Sequence, residues 1–357
     1  MPVVDIHTHV YPPSYMRILE SRSEVPYVRS SRLIILPGED ELCKNGAAQP
    51  GRPVGPDYYD ISKKLAFMDQ HGIDVSVISL ANPWLDFLPP TEAGPSARMI
   101  NDEIEGLCAR SDGRLFAFGA LPLSASVETI VAEIQRLKRL KLTRGVIMGT
   151  SGLGRGLDDP ALDPIWASLQ AQEMLIFLHP HYGLPTEVFG PRAGEYGHVL
   201  PLALGFPLET TVAVARMLLS GVWDRFPELK VLLAHSGGTL PFLAGRLESC
   251  IQHDGHLKQE ANFSQRRSVW DVLTKNIYLD AVIYSQVGLE AAVRASTADR
   301  VLFGTDHPFF PPLDGSTEQW MSVTTNRQAI SEAFSGSAKA NDAILGGNAM
   351  RLLNLES

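Results

Sequence analysis

Apolar and polar positions along the chain repeat one pattern. A short apolar run rich in β-branched residues ends in a polar or Gly/Pro turn, and a stretch with helical period follows. The runs are Val3–His7, Val75–Leu80, Leu115–Leu121, Gly145–Met148, Met174–His179, Val231–His235, Ile277–Asp280 and Val301–Asp306. Between them lie helical stretches such as Ile61–His71, Ser96–Ser111, Val127–Leu140, Pro160–Gln172, Glu209–Arg225 and Gly288–Ser296. Strands alternating with helices imply right-handed crossovers and a parallel sheet, and eight such units close into a (β/α)₈ barrel, an α/β fold. An open doubly wound sheet would want a Gly-rich phosphate turn after the first strand. Here the first strand ends in histidines instead. Two stretches break the repeat. From Val10 to about Tyr59 there are several Pro and Gly and little period, which predicts a long first βα loop. The tail from about Glu318 reads as helical, ends in Asn348–Leu355, and is expected to pack on the outside of the barrel.

With 357 residues the chain exceeds the roughly 250 that a barrel needs. One barrel domain over 1–357 is expected, with an insertion over about 10–59 and C-terminal helices over about 318–355. A net charge of −9 argues against nucleic-acid or anionic-membrane partners. Apolar runs such as Met174–Leu178 and Val231–Ala234 are far too short to cross a bilayer, and no charged segment followed by an apolar stretch opens the chain. Cys43, Cys108 and Cys250 are odd in number and have no metal-like spacing, as expected of reduced thiols in a cytoplasmic protein.

The candidate chemistry lies at the strand ends. His7 and His9 stand two apart, and side chains on a strand alternate faces, so both imidazoles point into the barrel mouth. Neutral imidazole is a favoured Zn²⁺ ligand, but a His-x-His pair alone is more often a surface or loop feature. What changes the picture is that His179 ends the fifth run, His235 the sixth and Asp306 the eighth. The C-terminal ends of barrel strands converge on one axial site, so these residues are read as one mononuclear centre rather than as separate loop-stabilising groups.

These residues, with the terminal Gly347-Asn348-Ala349-Met350-Arg351-Leu352-Leu353 segment, resemble the amidohydrolase superfamily over nearly the whole chain. The resemblance implies that His7, His9, His179 and Asp306 bind metal, while His235 binds metal or serves the reaction. One departure bears on metal count. Binuclear members carry a carboxylated Lys or a Glu at the end of strand four, and here that strand reads Arg144-Gly145-Val146-Ile147-Met148-Gly149. One divalent ion is therefore expected, Zn²⁺ first and Mn²⁺ as the alternative, with His235 left for the substrate and no organic cofactor.

Metal ligands of this kind serve either water activation or Lewis-acid chelation of a substrate. Asn82-Pro83-Trp84, Phe206 and Phe309-Phe310-Pro311-Pro312 follow strands and would wall a flat apolar site, although any one aromatic is more often loop packing. Arg52 and Arg246 are candidates to clamp a carboxylate or ring oxygen. Within the superfamily the chain resembles the decarboxylase branch, through Ser79–Trp84, His179-Pro180-His181-Tyr182-Gly183, His235-Ser236-Gly237-Gly238 and Gly304-Thr305-Asp306-His307-Pro308. The longer agreement, Gly152–Gly154, Leu157–Pro160 and Tyr196–Pro207, is with members acting on a pyrimidine carboxylate in thymine salvage. It implies 5-carboxyuracil as substrate, with Asp306 and His235 as the catalytic pair, either of them able to be the immediate proton donor and Asp306 favoured; Arg52, Asn82, Phe206, Arg246 and Phe309, read from their positions, are the expected substrate-binding residues. A hydroxybenzoate or aminocarboxymuconate semialdehyde decarboxylase is the nearest alternative. A hydrolase of cyclic amides or lactones is the rival of another class, and a non-catalytic scaffold would be expected to have broken ligands. His181, His198 and His307 are read as supporting or loop histidines, and His71, His253 and His256 as surface ones. Family members are usually dimers or tetramers, so a homo-oligomer is expected. With no strand-four bridge, elemental analysis of purified protein should find one tightly held divalent ion per chain. Two fully occupied metals about 3.5 Å apart would overturn the mononuclear reading.

Overall fold

The computed structural model describes residues 1–35, 39–40, 51–260, 263–313 and 319–355; Cys43 and Glu318 lie outside them. The eight apolar runs form parallel strands β1 (Val4–Val10), β2 (Val75–Leu80), β3 (Leu115–Ala120), β4 (Thr143–Gly149), β5 (Leu175–His179), β6 (Val231–Leu233), β7 (Ile277–Asp280) and β8 (Val301–Leu302), hydrogen-bonded in chain order. The ring closes between β1 and the chain beyond β8. Ile6 N donates to Phe303 O (3.1 Å), Asp306 N to His7 O (2.7 Å) and His9 N to His307 O (2.8 Å), and Thr8 bridges His307. This is a (β/α)₈ barrel.

Two strands end earlier than the sequence predicts. β6 and β8 stop at Leu233 and Leu302, short of His235 and Asp306. Both of those residues have left-handed backbone, with φ of 53° and 58°, which cannot continue a strand. β1 instead runs on to Val10, and a register shift between Asp5 and Thr8 marks a bulge beside the first histidine.

The helix Ile61–His71 forms as expected, with Asp60 accepting from Ser62 N (2.9 Å) at one end and Gly72 left-handed at the other. The stretch expected over Glu209–Arg225 divides into Phe206–Leu219 and Val222–Arg225 at Gly221, whose φ is 69°. Helices Leu240–His253 and Val269–Lys275 were not anticipated. Nor was the apolar stretch Pro201–Leu219, which by length and composition alone would cross a membrane; here it buries Thr210, Val214 and Met217. The described part of the first βα segment is more ordered than its composition suggests. It holds the helix Pro13–Glu20 and an antiparallel sheet of Tyr27–Arg29, Arg32–Ile34 and Arg52–Pro53, strands too short to display an alternating pattern.

The tail packs helices Met321–Ala333 and Asn348–Leu353 against the barrel. Gly346 lies so close to the N-terminal segment that a Cβ would stand 1.8 Å from Pro2 O. Buried Asn348 donates from Nδ2 to Ala298 O and Val301 O, both at 2.8 Å, tying the last helix to the start of β8. Asn348→Ala leaves two carbonyls without partners and is expected to destabilise the fold by about 2 kcal/mol. Thermal melts check this; an unchanged midpoint would mean that the tail is held by apolar packing alone.

Candidate active site

Five side chains meet at the C-terminal mouth of the barrel. His7 and His9 come from β1, His179 ends β5, and His235 and Asp306 follow β6 and β8. His7 Nε2 lies 3.1 Å from His9 Nε2, and these nitrogens lie 3.3 and 3.4 Å from Asp306 Oδ1. One ligand atom from each of His7, His179, His235 and Asp306 falls within 4.8 Å of the others. His179 Nε2 and Asp306 Oδ1 are buried without a hydrogen-bond partner. Lone pairs crowded in this way, dry and unpaired, fit a divalent cation and are costly without one.

The far sides of the rings are held. His7 Nδ1 donates to Asp280 Oδ2 (2.6 Å), His9 Nδ1 to Ser79 Oγ (3.0 Å) and His179 Nδ1 to Pro180 O (2.8 Å). Each bond fixes the tautomer that turns a bare Nε2 inward. Asp280 does more. Its Oδ2 also accepts from His235 N (2.9 Å) and its Oδ1 from Ser236 N (2.8 Å) and Val282 N (3.0 Å). Three amides and an imidazole thus converge on one carboxylate, and they hold His235 and Ser236 in left-handed backbone that costs of order 1–3 kcal/mol per residue. Sequence reasoning did not single out Asp280. The signal was available, since an acid ends the seventh run just as Asp306 follows the eighth.

Electrostatics suit metal binding. Burial disfavours charge on Asp306, but His7, His235 and His9 outweigh it and hold its carboxyl well below the usual range. Burial keeps His179 well below its ordinary value and His9 down at about 4, so both rings are neutral as ligands must be. On His7 burial opposes the proton, yet Asp306 and Asp280 raise it to about 10, marking the position a cation would take.

A cavity of about 590 Å³ opens over this cluster. It is walled by Phe206, Pro207, Ile283, Tyr284, Phe309 and Phe310, with Arg52, Tyr58 and Asn82 to one side and His179, His235 and Asp306 facing it. Of the expected substrate residues, Arg52, Asn82, Phe206 and Phe309 line it. Arg246 does not: it is exposed on helix Leu240–His253, so within one chain it clamps nothing in this cavity. Asn82 donates from Nδ2 to His181 O (2.8 Å), leaving Oδ1 as its free reader. Trp84 stands behind the wall, buried, with Nε1 donating to Leu80 O (2.9 Å). Its ring would be 2.8 Å from a Cβ on Gly149, so the end of β4 has no room for a bridging side chain.

His181 and His307 are buried supports. His181 Nδ1 meets Ser151 Oγ (2.9 Å), and its backbone amide donates to Glu209 Oε1 (2.8 Å). His198 is exposed, 3.3 Å from Glu39 Oε1, and His253 and His256 are exposed. His71, expected at the surface, is half-buried against Phe67, with ring centroids 4.8 Å apart.

A parallel barrel with imidazoles and a carboxylate gathered around a cation-sized gap, under an apolar cavity, defines a metal-dependent barrel enzyme. The sequence pattern of the Amidohydrolase family matches residues 4–355, and the chain belongs to that family. It is 30% identical over 279 residues to gamma-resorcylate decarboxylase of Rhizobium radiobacter, covering 74% of this chain and 81% of that one. To 2-amino-3-carboxymuconate-6-semialdehyde decarboxylase of Dictyostelium discoideum it is 27% identical over 358 residues, 99% of this chain and 92% of the other. Among solved structures it resembles Metarhizium anisopliae IDCase (isoorotate decarboxylase) in its apo form, with 57% identity, coverage of 100% and 98%, and a TM-score of 0.95.

Two substitutions test the ligand assignment. Asp280→Asn should weaken divalent-metal affinity about 10–100-fold in a chelator competition, because the partner of His7 loses its charge. His235→Ala should keep the metal that His179→Ala loses; an emptied site in His235→Ala would make His235 a ligand.

Proposed function

We propose that the chain is a mononuclear metal-dependent decarboxylase that converts 5-carboxyuracil (isoorotate) to uracil and CO₂, cytoplasmic and serving thymine salvage. The observation that carries this reading is the largely apolar cavity with an orienting amide and arginine set directly over the cation-binding cluster. The whole-length similarity to a pyrimidine-acid decarboxylase supports the substrate. His7, His9, His179 and Asp306 are the proposed ligands, with Zn²⁺ as the ion and Mn²⁺ as the alternative.

His7, His9, His179 and Asp306 would hold the ion, which would supply Lewis acidity to the substrate's carboxylate edge. Losing CO₂ directly from an sp² carbon would leave a vinylic anion that nothing delocalises. Protonating that carbon first lets the electrons of the breaking C–C bond return to the ring, so one proton enters as one CO₂ leaves. Asp306 delivers the proton from the cavity floor. Its carboxylate is ionised in the resting site, so the proton has to be supplied to it, and His235 is placed for that, with Nε2 3.6 Å from Asp306 Oδ2. Phe206 and Phe309 sandwich the ring, while Asn82 and Arg52 read its far edge. A homodimer or homotetramer is the proposed assembly, supported by exposed apolar side chains such as Tyr196, Val199, Leu204 and Phe242.

A hydroxybenzoate offers the same chelating edge but only C–H groups opposite, leaving polar side chains unpaired at about 1–3 kcal/mol each. Isoorotate should therefore exceed γ-resorcylate at least tenfold in kcat/KM, and Asn82→Ala should narrow the gap without changing metal content. Side-by-side assays of CO₂ release decide it. Equal turnover of γ-resorcylate moves the protein to the neighbouring substrate, and ring opening without CO₂ moves it to hydrolysis.

A further inference from the structure

Behind the metal cluster, on the outer side of the β1–β8 seam, lies a lysine that neither ligation nor chemistry uses. Lys64, on helix Ile61–His71, is buried, with 1% of its surface exposed. Its Nζ donates to Thr8 Oγ1, to His307 Nδ1 and, at 3.3 Å, to His307 O. Thr8 Oγ1 in turn donates to His307 O (2.9 Å). All three ammonium protons are thus spent on two residues. Thr8 sits between His7 and His9, facing away from them, and His307 follows Asp306.

The location matters because regular pairing of β8 ends at Leu302, well before Asp306. The chain carrying Asp306 is held to β1 only by a few bonds, and Lys64 clamps that junction from behind. Phe67 from the same helix stacks on the His307 ring, with centroids 3.8 Å apart. Stability alone does not account for a cation here, since burying an ammonium is costly and an apolar side chain of similar volume often serves as well. What an apolar side chain lacks is direction: it cannot fix Thr8 and His307 at set distances from one point.

We propose that Lys64 is a positioning residue of the metal centre, setting the separation between the His7/His9 pair and Asp306 through Thr8 and His307. The metal-binding effect depends only on the ligand assignment, while the effect on turnover also rests on the decarboxylase reading above.

The test is titration of apoprotein with Zn²⁺ and Mn²⁺ against a chromophoric chelator, far below the melting temperature, followed by kinetics on isoorotate at saturating metal. Lys64→Met should bind either ion at least tenfold more weakly, and kcat should fall tenfold or more while KM stays within threefold. Thr8→Val, which removes only the hydroxyl link, should weaken metal binding at least threefold and serves if Lys64→Met fails to fold. Met68→Ala, a buried change on the same helix, should lower the melting temperature with metal affinity within twofold. If Lys64→Met, or Thr8→Val in its place, merely melts earlier and binds metal within twofold of wild type, Lys64 is a structural residue and the proposal fails. The expected loss of metal affinity in Lys64→Met, together with no isoorotate turnover by the metal-loaded wild type, would instead count against the substrate.

Discussion

The 2.6 Å bond from His7 Nδ1 to Asp280 is the contact on which the mouth of this barrel depends. A cation site needs several lone pairs aimed at one point in a dry space, an arrangement that relaxes unless each side chain is restrained from outside. Asp280 restrains two elements at once, since the carboxylate that orients His7 also accepts the amides of His235 and Ser236. β1 and the turn after β6 therefore cannot move independently. With the His9–Ser79 and His179–Pro180 bonds, each metal-facing imidazole is braced by a different strand end.

The same economy explains why His235 and Asp306, the proposed acid–base pair, lie outside regular strand. Extended backbone would alternate their side chains into the packed barrel or out toward the helices. The left-handed residues at His235 and Asp306 end the extended path and place both side chains over the axis, 3.6 Å apart. The strain survives because buried hydrogen bonds over-determine these turns: Asp280 on one side, and on the other His7 O, which accepts from Asp306 N, together with Thr305 Oγ1, which donates to Asp5 (2.7 Å).

What could be read from the sequence follows from which signals are local. Each barrel strand carries its own apolar run and each central histidine ends one, so period and position were enough to bring His7, His9, His179, His235 and Asp306 together. Strand limits were read less well because φ at His235 and Asp306 is imposed by tertiary bonds. Lys64 and Asp280 were missed for different reasons. Asp280 ended a run with an acid, but its role, bracing His7 and two amides from outside the cluster, appears only once the strands are assembled, whereas Lys64 looks like any helix-surface lysine until Thr8 and His307 are seen beneath it. Arg246 does not reach the cavity within one chain, because following His235 in sequence says nothing about which face of the next helix it occupies.

Metal binding and substrate reading rest on different parts of the molecule. The proposed ligands sit at or just beyond strand ends, braced by buried bonds and shared with the barrel's core; Phe177, beneath them, stacks edge-on to His7 at 4.9 Å. The cavity walls instead come from connecting segments: Arg52 and Tyr58 from the first, Phe206 from the fifth, Ile283 and Tyr284 from the seventh, Phe309 and Phe310 from the eighth. Loops tolerate substitution where strand ends do not, so a barrel built this way can change the ring it accepts while keeping its ion in place. The proposed acid–base pair, His235 and Asp306, belongs to the rigid part. On the proposed function, reaction type is therefore bound to the metal, whereas the choice between a pyrimidine and a benzene ring would turn on a handful of side chains, Asn82 and Arg52 foremost, whose polar atoms would need partners on the far edge of the substrate.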